Sequence, residues 1–291
     1  MLLRPTAERD GDNAPEMLSS RSDRAFRWPL AAAGVVAVVL GVAAMWSTAA
    51  LAAGAGWELR GVLVGGEAAL LAVAVVSSRS LGLRQVWQGS AGAGPVSRAL
   101  LVGLALWLAS LGLVGLQQAV WPPPPGYLPA FLEVHRALRP SGALDALGSL
   151  IAVALAPALC EELMFRGVAL PALIPLLRPL GAALASSLLF GLIHVDLVDG
   201  EPSLYRAPFA FAVGLGLAAL RLRSGSVLPP MLAHAALNAC TWGVTLGTLI
   251  ALGPEAAPPE DAGSPVLAAG QLAVGLLAVG GLLRRWPAPP T

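Results

Sequence analysis

Long apolar runs are the feature that most constrains how this chain can fold. Its 291 residues are 56% hydrophobic and only 12% charged, and the mean hydropathy is +0.74. Soluble domains carry about 25% charged residues, so this chain has too few polar side chains to cover a surface in water. Because helices satisfy their own backbone hydrogen bonds in lipid, the sequence predicts an all-α, polytopic transmembrane helical bundle.

Eight apolar stretches are predicted to span the membrane, since a helix needs about 20 apolar residues to cross a bilayer. The predicted spans are Pro29–Leu51, Gly61–Ser77, Ala99–Val120, Ala143–Phe165, Gly181–Val198, Pro208–Leu220, Val227–Leu252 and Val266–Leu283. No repeat of fixed period interrupts them. We therefore interpret residues 29–285 as one membrane domain between a polar cytoplasmic tail, residues 1–28, and a short C-terminal tail, residues 286–291.

The charges in the loops predict the orientation of the bundle. All 18 basic residues are Arg, and Arg in short loops concentrates on the cytoplasmic side. Placing both termini in the cytoplasm puts most Arg residues inside and leaves Asp196, Asp199 and Glu201 outside. We expect an integral protein of the bacterial cytoplasmic membrane. The net charge of +1 gives no indication of a nucleic-acid partner.

The longest predicted external loop is Trp121–Gly142, which begins with four consecutive prolines. Such a run favours a stiff polyproline stretch. The following residues, Leu128–Leu138, form either a plain surface loop or a short interfacial helix, and the sequence alone leaves both open.

Two adjacent carboxylates and an Arg lie at the end of the fourth predicted span. An ionisable side chain at the centre of a membrane helix costs about 2.5–3.5 kcal/mol, so it usually faces the protein interior and serves a function there. Glu162 and Arg166 are four residues apart and can pair on one helix face, whereas Glu161 points about 100° away. One carboxylate can thus be held by the Arg while the other moves protons. For the Glu162–Arg166 pair alone, an ion pair at a helix end is the competing interpretation.

Two further polar pairs lie in later spans. Phe190 and His194 are one turn apart in the fifth, and His234 and Asn238 are one turn apart in the seventh. Taken singly, a buried structural histidine or an Asn that joins two helices explains each pair. Together with the carboxylates, they predict a polar pocket built by three helices, which can hold a water, a general base and oxyanion donors.

These three motifs, in this order, resemble the CPBP family of CAAX proteases and bacteriocin-processing proteins, also called ABI or type II CAAX prenyl endopeptidase-like. The family pattern is Glu-Glu-x-x-x-Arg, then Phe-x-x-x-His, then His-x-x-x-Asn or Asp, and it is matched within about residues 143–250. The seven matching positions are Glu161, Glu162, Arg166, Phe190, His194, His234 and Asn238. The resemblance implies an intramembrane endopeptidase.

The resemblance also implies a role for each motif residue. Glu161 would be the general base that activates water, with His194 assisting, while His234 and Asn238 would stabilise the oxyanion. The ion pair of the fourth span would position the site, and the motif phenylalanine would support it. Some family members trim prenylated proteins. Others are linked to the maturation of bacteriocins or to the processing of membrane-anchored proteins. The expected partners are therefore membrane lipid and a protein or peptide with a membrane-anchored or lipidated segment.

Metal dependence is left open by these residues. Glu161, His194 and His234 could ligate zinc, because three protein ligands plus a water are the catalytic zinc pattern. The sequence lacks the His-Glu-x-x-His helix of common zinc proteases. We favour a glutamate mechanism without a cofactor and keep zinc as the alternative.

Two other classes of function compete with the protease. Intramembrane Glu, His and Arg are also typical of a proton-coupled transporter, although the internal repeats that many transporters show are not evident. A non-catalytic membrane adaptor or immunity protein could keep the same fold, but it would have no need of both carboxylates.

Overall fold

The computed structural model describes residues 16–83, 93–198, 201–253 and 263–287. Apart from one small hairpin and the connections between elements, these residues are helical, which confirms the all-α prediction. The elements are α1 (Glu16–Gly54), α2 (Leu59–Ser80), α3 (Ala93–Val120), α4 (Tyr127–Ala137), α5 (Ala143–Leu150), π1 (Ile151–Leu155), α6 (Ala156–Glu162), π2 (Leu163–Ala169), α7 (Leu170–Leu192), β1 (Asp196–Val198), β2 (Glu201–Ser203), α8 (Ala207–Ser224), α9 (Leu228–Leu252) and α10 (Pro265–Arg284).

Six helical segments of the described chain are long and apolar enough to cross a membrane. They are Trp28–Gly54, Leu59–Ser80, Pro95–Val120, Ala143–Leu192, Ala207–Ser224 and Pro265–Arg284. The fourth of these is 50 residues long and contains two of the predicted spans, while α9 covers the predicted seventh span. The prediction of a multi-pass bundle with about eight spans is thereby confirmed. Helix α1 begins within the segment predicted as a polar tail.

The fourth and fifth predicted spans need correction at their ends. The fourth was expected to end at Phe165, but the helical chain continues to a kink at Arg178, where φ is 61° and ψ is 167°. Pro179 explains the break, because a proline disfavours helical conformation in the residue before it. Beyond the kink, α7 packs back against π2. Glu161 therefore lies in the middle of a long helical rod.

The fifth predicted span also ends early. It was expected to reach Val198, but α7 ends at Leu192 and an antiparallel hairpin follows, with Asp196 opposite Ser203. Asp and Gly are poor helix formers that favour turns, and residues 196–200 contain two Asp and one Gly. His194 thus lies in the connection between α7 and the hairpin.

Two π-helical turns flank α6, the short helix that carries the paired carboxylates. Each is followed by a proline near the start of the next α-helix, Pro157 after π1 and Pro171 after π2. Proline has no amide hydrogen for the carbonyl four residues earlier, so the regular hydrogen-bond ladder is interrupted at both points. Such π turns are frequent at functional sites. Here they bracket the Glu161–Glu162 pair.

Small residues let the helices around this rod approach closely. A Cβ added to Gly103 on α3 would lie 2.3 Å from the carbonyl oxygen of Ala233 on α9, and one added to Gly41 on α1 would lie 2.5 Å from Met164 Cε. Close backbone approach through small residues is the usual packing mode of membrane helices. It brings α9, with its His234, against α6.

The segment Leu128–Leu138 is helical rather than a plain loop, since α4 covers Tyr127–Ala137. Its first residue belongs to an aromatic cluster with Trp121 and Tyr205, whose rings pack edge to face at centroid distances of 4.8 and 5.5 Å. This cluster ties the loop between α3 and α4 to the segment before α8.

Candidate active site

Glu162 is the centre of a fully buried polar network. Its Oε1 accepts a hydrogen bond from Arg166 Nη1 at 2.8 Å and another from His234 Nδ1 at 3.0 Å. The Glu162 and Arg166 side chains are both 0% exposed, and a hydrogen bond between two charged groups is roughly twice as strong as one between neutral groups. The predicted pairing is confirmed. It lies inside the bundle, so the interpretation as a helix-end ion pair is wrong.

Arg166 joins three helical elements. Its Nη2 donates to the backbone carbonyl of Gly214 on α8 at 2.9 Å, and its guanidinium lies 4.5 Å from the ring centroid of Phe190 on α7. A Cβ at position 214 would lie 3.2 Å from Phe190 Cδ1 and 3.3 Å from Arg166 Nη2. Gly214 therefore provides the space in which the guanidinium and the ring stack, an arrangement favoured by cation–π attraction.

Glu161 differs from its neighbour. It is only 8% exposed, and its Oε2 lies 3.8 Å from His234 Nε2, which is too long for a hydrogen bond. No described residue hydrogen-bonds to either oxygen of Glu161, whereas Glu162 has two donors on its Oε1 and lacks a partner only on its Oε2. The two adjacent carboxylates thus have different surroundings, one held by two donors and the other available.

The hydrogen bond to Glu162 orients His234. A carboxylate can only accept a hydrogen bond, so Nδ1 of His234 carries the proton and Nε2 faces Glu161. The imidazole is 4% exposed and contacts the Phe190 ring at a centroid distance of 5.9 Å. This carboxylate–histidine arrangement fixes both the ring and its tautomer.

His194 reaches the same group of side chains through Phe190. Its Nδ1 donates to the Phe190 carbonyl at 2.7 Å, and the two rings lie 4.6 Å apart, so its Nε2 is the nitrogen that remains for other partners. Burial lowers the pKa of His194 to about 3, and the ring is therefore neutral near pH 7, with a lone pair on Nε2. Phe190 consequently contacts both motif histidines.

Asn238 lies one turn beyond His234 on α9 and is partly buried. Within the described chain it forms no hydrogen bond. The structure thus brings Glu161, Glu162, Arg166, Phe190 and His234 into contact, joins His194 through Phe190, and leaves Asn238 next to the group without a bond to it.

Glu67 was missed by the sequence reasoning. It lies on α2, is 8% exposed, and accepts a hydrogen bond from the thiol of Cys160, the residue before Glu161. The signal was present, since Glu67 is an ionisable residue inside the predicted span Gly61–Ser77, a placement that usually marks a functional side chain.

The proposed zinc ligands do not assemble into a metal site. In the part of the chain that the structure describes, no three His, Cys, Asp or Glu side chains are grouped so that they could hold a metal ion. Nδ1 of each histidine is hydrogen-bonded to a protein oxygen, so Nε2 is the nitrogen that remains for other partners. The use of zinc therefore stays a prediction from the sequence.

Comparison with protein-family models identifies the segment that carries this site. A family model described as type II CAAX prenyl endopeptidase Rce1-like matches residues 143–240. This segment is similar to that family. It contains all seven motif positions, so the family resemblance read from the motifs is confirmed. The Rce1-like family is a protease family. No curated protein and no solved structure gave a significant match.

Proposed function

We propose that this chain is an intramembrane endopeptidase that hydrolyses a peptide bond near a membrane-embedded or lipidated segment, using water activated by Glu161. The observation that carries the proposal is the unequal environment of the two adjacent carboxylates. Glu162 is fixed through its Oε1 by Arg166 and His234, although its Oε2 has no partner, whereas neither oxygen of Glu161 accepts a hydrogen bond from a described residue. A general base needs such an uncommitted lone pair within reach of its water.

In this mechanism, the water oxygen attacks the carbonyl carbon of the scissile peptide bond while Glu161 takes a proton from the water. The carbon–nitrogen bond then breaks, and the proton passes from Glu161 to the leaving nitrogen. His194 contributes Nε2, which can accept a hydrogen bond from the same water and so orient its lone pair. The products are a new carboxyl terminus and a free amine.

We assign to two residues of α9 the stabilisation of the oxyanion that forms during attack. His234 presents Nε2 to the centre, and in its protonated form this nitrogen donates a hydrogen bond to developing negative charge. Asn238 lies one turn further along and has an amide free to donate. Glu162 acts through His234, because its Oε1 accepts the Nδ1–H hydrogen bond that holds the ring in place, and Arg166 in turn holds Glu162.

An apolar cleft suggests how an anchored substrate reaches this centre. It lies between α1 and the C-terminal part of α7, has a volume of about 590 Å³, and is lined by residues that include Val38, Trp46, Leu189 and Ile193. Ile193 is the residue before His194. A lipid chain or apolar segment can therefore lie in this cleft while the adjoining peptide extends towards the site.

The experiment compares membrane-protein termini in a strain lacking this protein with strains expressing wild type, Glu161→Gln or Glu58→Gln. Glu58 precedes α2 and is exposed, so it is a control for the same chemical change outside the site. We expect a new terminus with wild type and Glu58→Gln only. With a peptide made from that cleavage region, Glu161→Gln should lower kcat by about 10²–10⁴-fold, and a metal chelator should leave wild-type kcat unchanged.

Other outcomes would contradict the proposal. Identical termini in all strains, with the protein well expressed, would point to the transporter or adaptor instead, and proton-coupled uptake into proteoliposomes would favour the transporter. Full cleavage by a folded Glu161→Gln variant would reject the assigned base. Loss of activity in the chelator that returns with zinc would replace the glutamate mechanism by a metal mechanism.

A further inference from the structure

Four arginines meet at one end of the bundle, where α3 begins and α8 and α10 end. These three helices pack against one another. Arg98 Nη1 donates a hydrogen bond to the backbone carbonyl of Arg285 at 3.0 Å, and Arg223 Nε donates one to the carbonyl of Leu283 at 3.2 Å. Arg284 is the last residue of α10. We call Arg98, Arg223, Arg284 and Arg285 the arginine patch.

The packing of the three helix ends holds the patch together. Trp286, the residue after the patch, is only 5% exposed and belongs to the same buried cluster as Ala99 of α3 and Leu220 of α8. Basic side chains that donate to the last carbonyls of a helix also stabilise its C-terminus, and Arg98 and Arg223 do so for the end of α10. The proximity of the four arginines is therefore built into the fold.

No carboxylate of these helices compensates the patch. Arg60, Arg136 and Arg206 each form an ion pair with an Asp or Glu, whereas no member of the patch does so within the described chain. The sequences of α3, α8 and α10 contain no Asp or Glu, and neither do residues 285–291. Like charges repel one another, so an anion from outside these helices would stabilise the patch.

The surroundings of the patch are apolar on the side of the membrane. All three helices are long and apolar enough to span it, so the patch lies at the level of the lipid headgroups. Leu101, one turn from Arg98, is 49% exposed, and Leu277, two turns before Arg284, is 76% exposed. A ligand that combines an anionic group with apolar chains matches both surfaces, whereas a free anion would match only the charge.

We propose that the arginine patch binds the phosphodiester headgroup of an anionic phospholipid, whose acyl chains lie along α3 and α10. Arginine has five N–H donors that suit phosphate oxygens. Arg98 and Arg223 each use one nitrogen on α10, so both retain donors for the headgroup. Clusters of basic residues at the end of a membrane helix are typical of anionic-lipid recognition. Arg221 is not included, because its Nε donates inward to the carbonyl of Arg166.

The test measures lipid binding to the full chain, purified in detergent and freed of lipid, by native mass spectrometry with phosphatidylglycerol or phosphatidylcholine. Arg284→Gln/Arg285→Gln removes two exposed charges of the patch and leaves the two arginines that cap α10. The matched control, Arg79→Gln/Arg178→Gln, removes two exposed arginines from outside the patch. Thermal melting in detergent establishes that each variant is folded.

We expect wild type and the control variant to bind phosphatidylglycerol more tightly than phosphatidylcholine. The patch variant should raise the Kd for phosphatidylglycerol by about 30-fold, which corresponds to about 1 kcal/mol for each arginine removed. In wild type alone, added salt should weaken the binding of phosphatidylglycerol more than that of phosphatidylcholine, because salt screens exposed charges. This second measurement needs no variant.

Four results would overturn the inference. Equal Kd values of wild type for the two lipids, or no difference in their salt dependence, would show that the headgroup charge is not recognised. An equal rise in Kd in both double variants would show that only net charge matters. Displacement of phosphatidylglycerol by an equal concentration of inorganic phosphate would identify a free-anion site. Binding that appears only after deletion of residues 1–15, which contain Glu8, Asp10 and Asp12, would make that segment the occupant.

Discussion

Two arginine–carboxylate pairs in this protein have similar chemistry and different surroundings. Arg166 and Glu162 lie 2.8 Å apart with both side chains 0% exposed. Arg60 and Asp145 lie 3.2 Å apart, with side chains 23% and 38% exposed. The Arg60 guanidinium also donates from Nε to Ser149 at 3.0 Å, so each Arg links more than one element.

The comparison shows that burial, more than distance, determines what each pair can do. Water screens the exposed pair and can replace either partner, so such a pair contributes little. Water does not reach the buried pair, so removing one member leaves the charge of the other uncompensated. Arg60 is accordingly a tether between α2 and α5, whereas Arg166 holds in place the carboxylate that orients His234.

The largest effect should come from Arg166→Met. It leaves Glu162 buried with only His234 as a partner, and it removes the bond to Gly214 and the stacking on Phe190. Breaking a buried pair in this way costs about 3–5 kcal/mol, so we expect a large drop in the free energy of unfolding, measured by denaturant titration in detergent micelles, together with loss of cleavage. Wild-type stability in this variant would show that the network does not support the fold.

Gly214→Ala should have an intermediate effect. The added methyl group would lie 3.1–3.3 Å from Ser187, Phe190 and Arg166, and overpacking a tight interior costs about 1–3 kcal/mol. The matched control is Gly270→Ala on α10, where an added Cβ meets no atom within 4 Å. A lower melting temperature for Gly214→Ala than for Gly270→Ala is the expected result, and equal values would contradict the tight packing at the buried pair.

The smallest effect should come from Arg60→Met, the counterpart of the Arg166 variant. An exposed ion pair contributes about 0–1 kcal/mol, so the free energy of unfolding should change little and cleavage should persist. Measured beside Arg166→Met under the same conditions, it isolates the contribution of burial. Equal losses in the two variants would overturn the comparison.

Much of the fold and part of the site could be predicted from local sequence. The length of the apolar stretches predicted the helices, and the four-residue spacing predicted the pairing of Glu162 with Arg166. Both predictions follow from the geometry of a single helix. Pro179 is the sequence signal for the kink at Arg178. The expected span ended before it, because the length of an apolar stretch does not indicate where a helix bends. The missed Glu67 belongs to a helix outside the motifs.

What the sequence determined by itself is therefore the set of helices and the residue types that can perform the chemistry. Only the tertiary structure decided which carboxylate is held and which is free, since His234 is 72 positions from Glu162 along the chain and Glu67 reaches Cys160 from another helix. Helical periodicity is a local property that spacing reveals. Partner choice between helices depends on close packing through residues such as Gly103 and Gly214, which a single sequence does not encode in any local pattern.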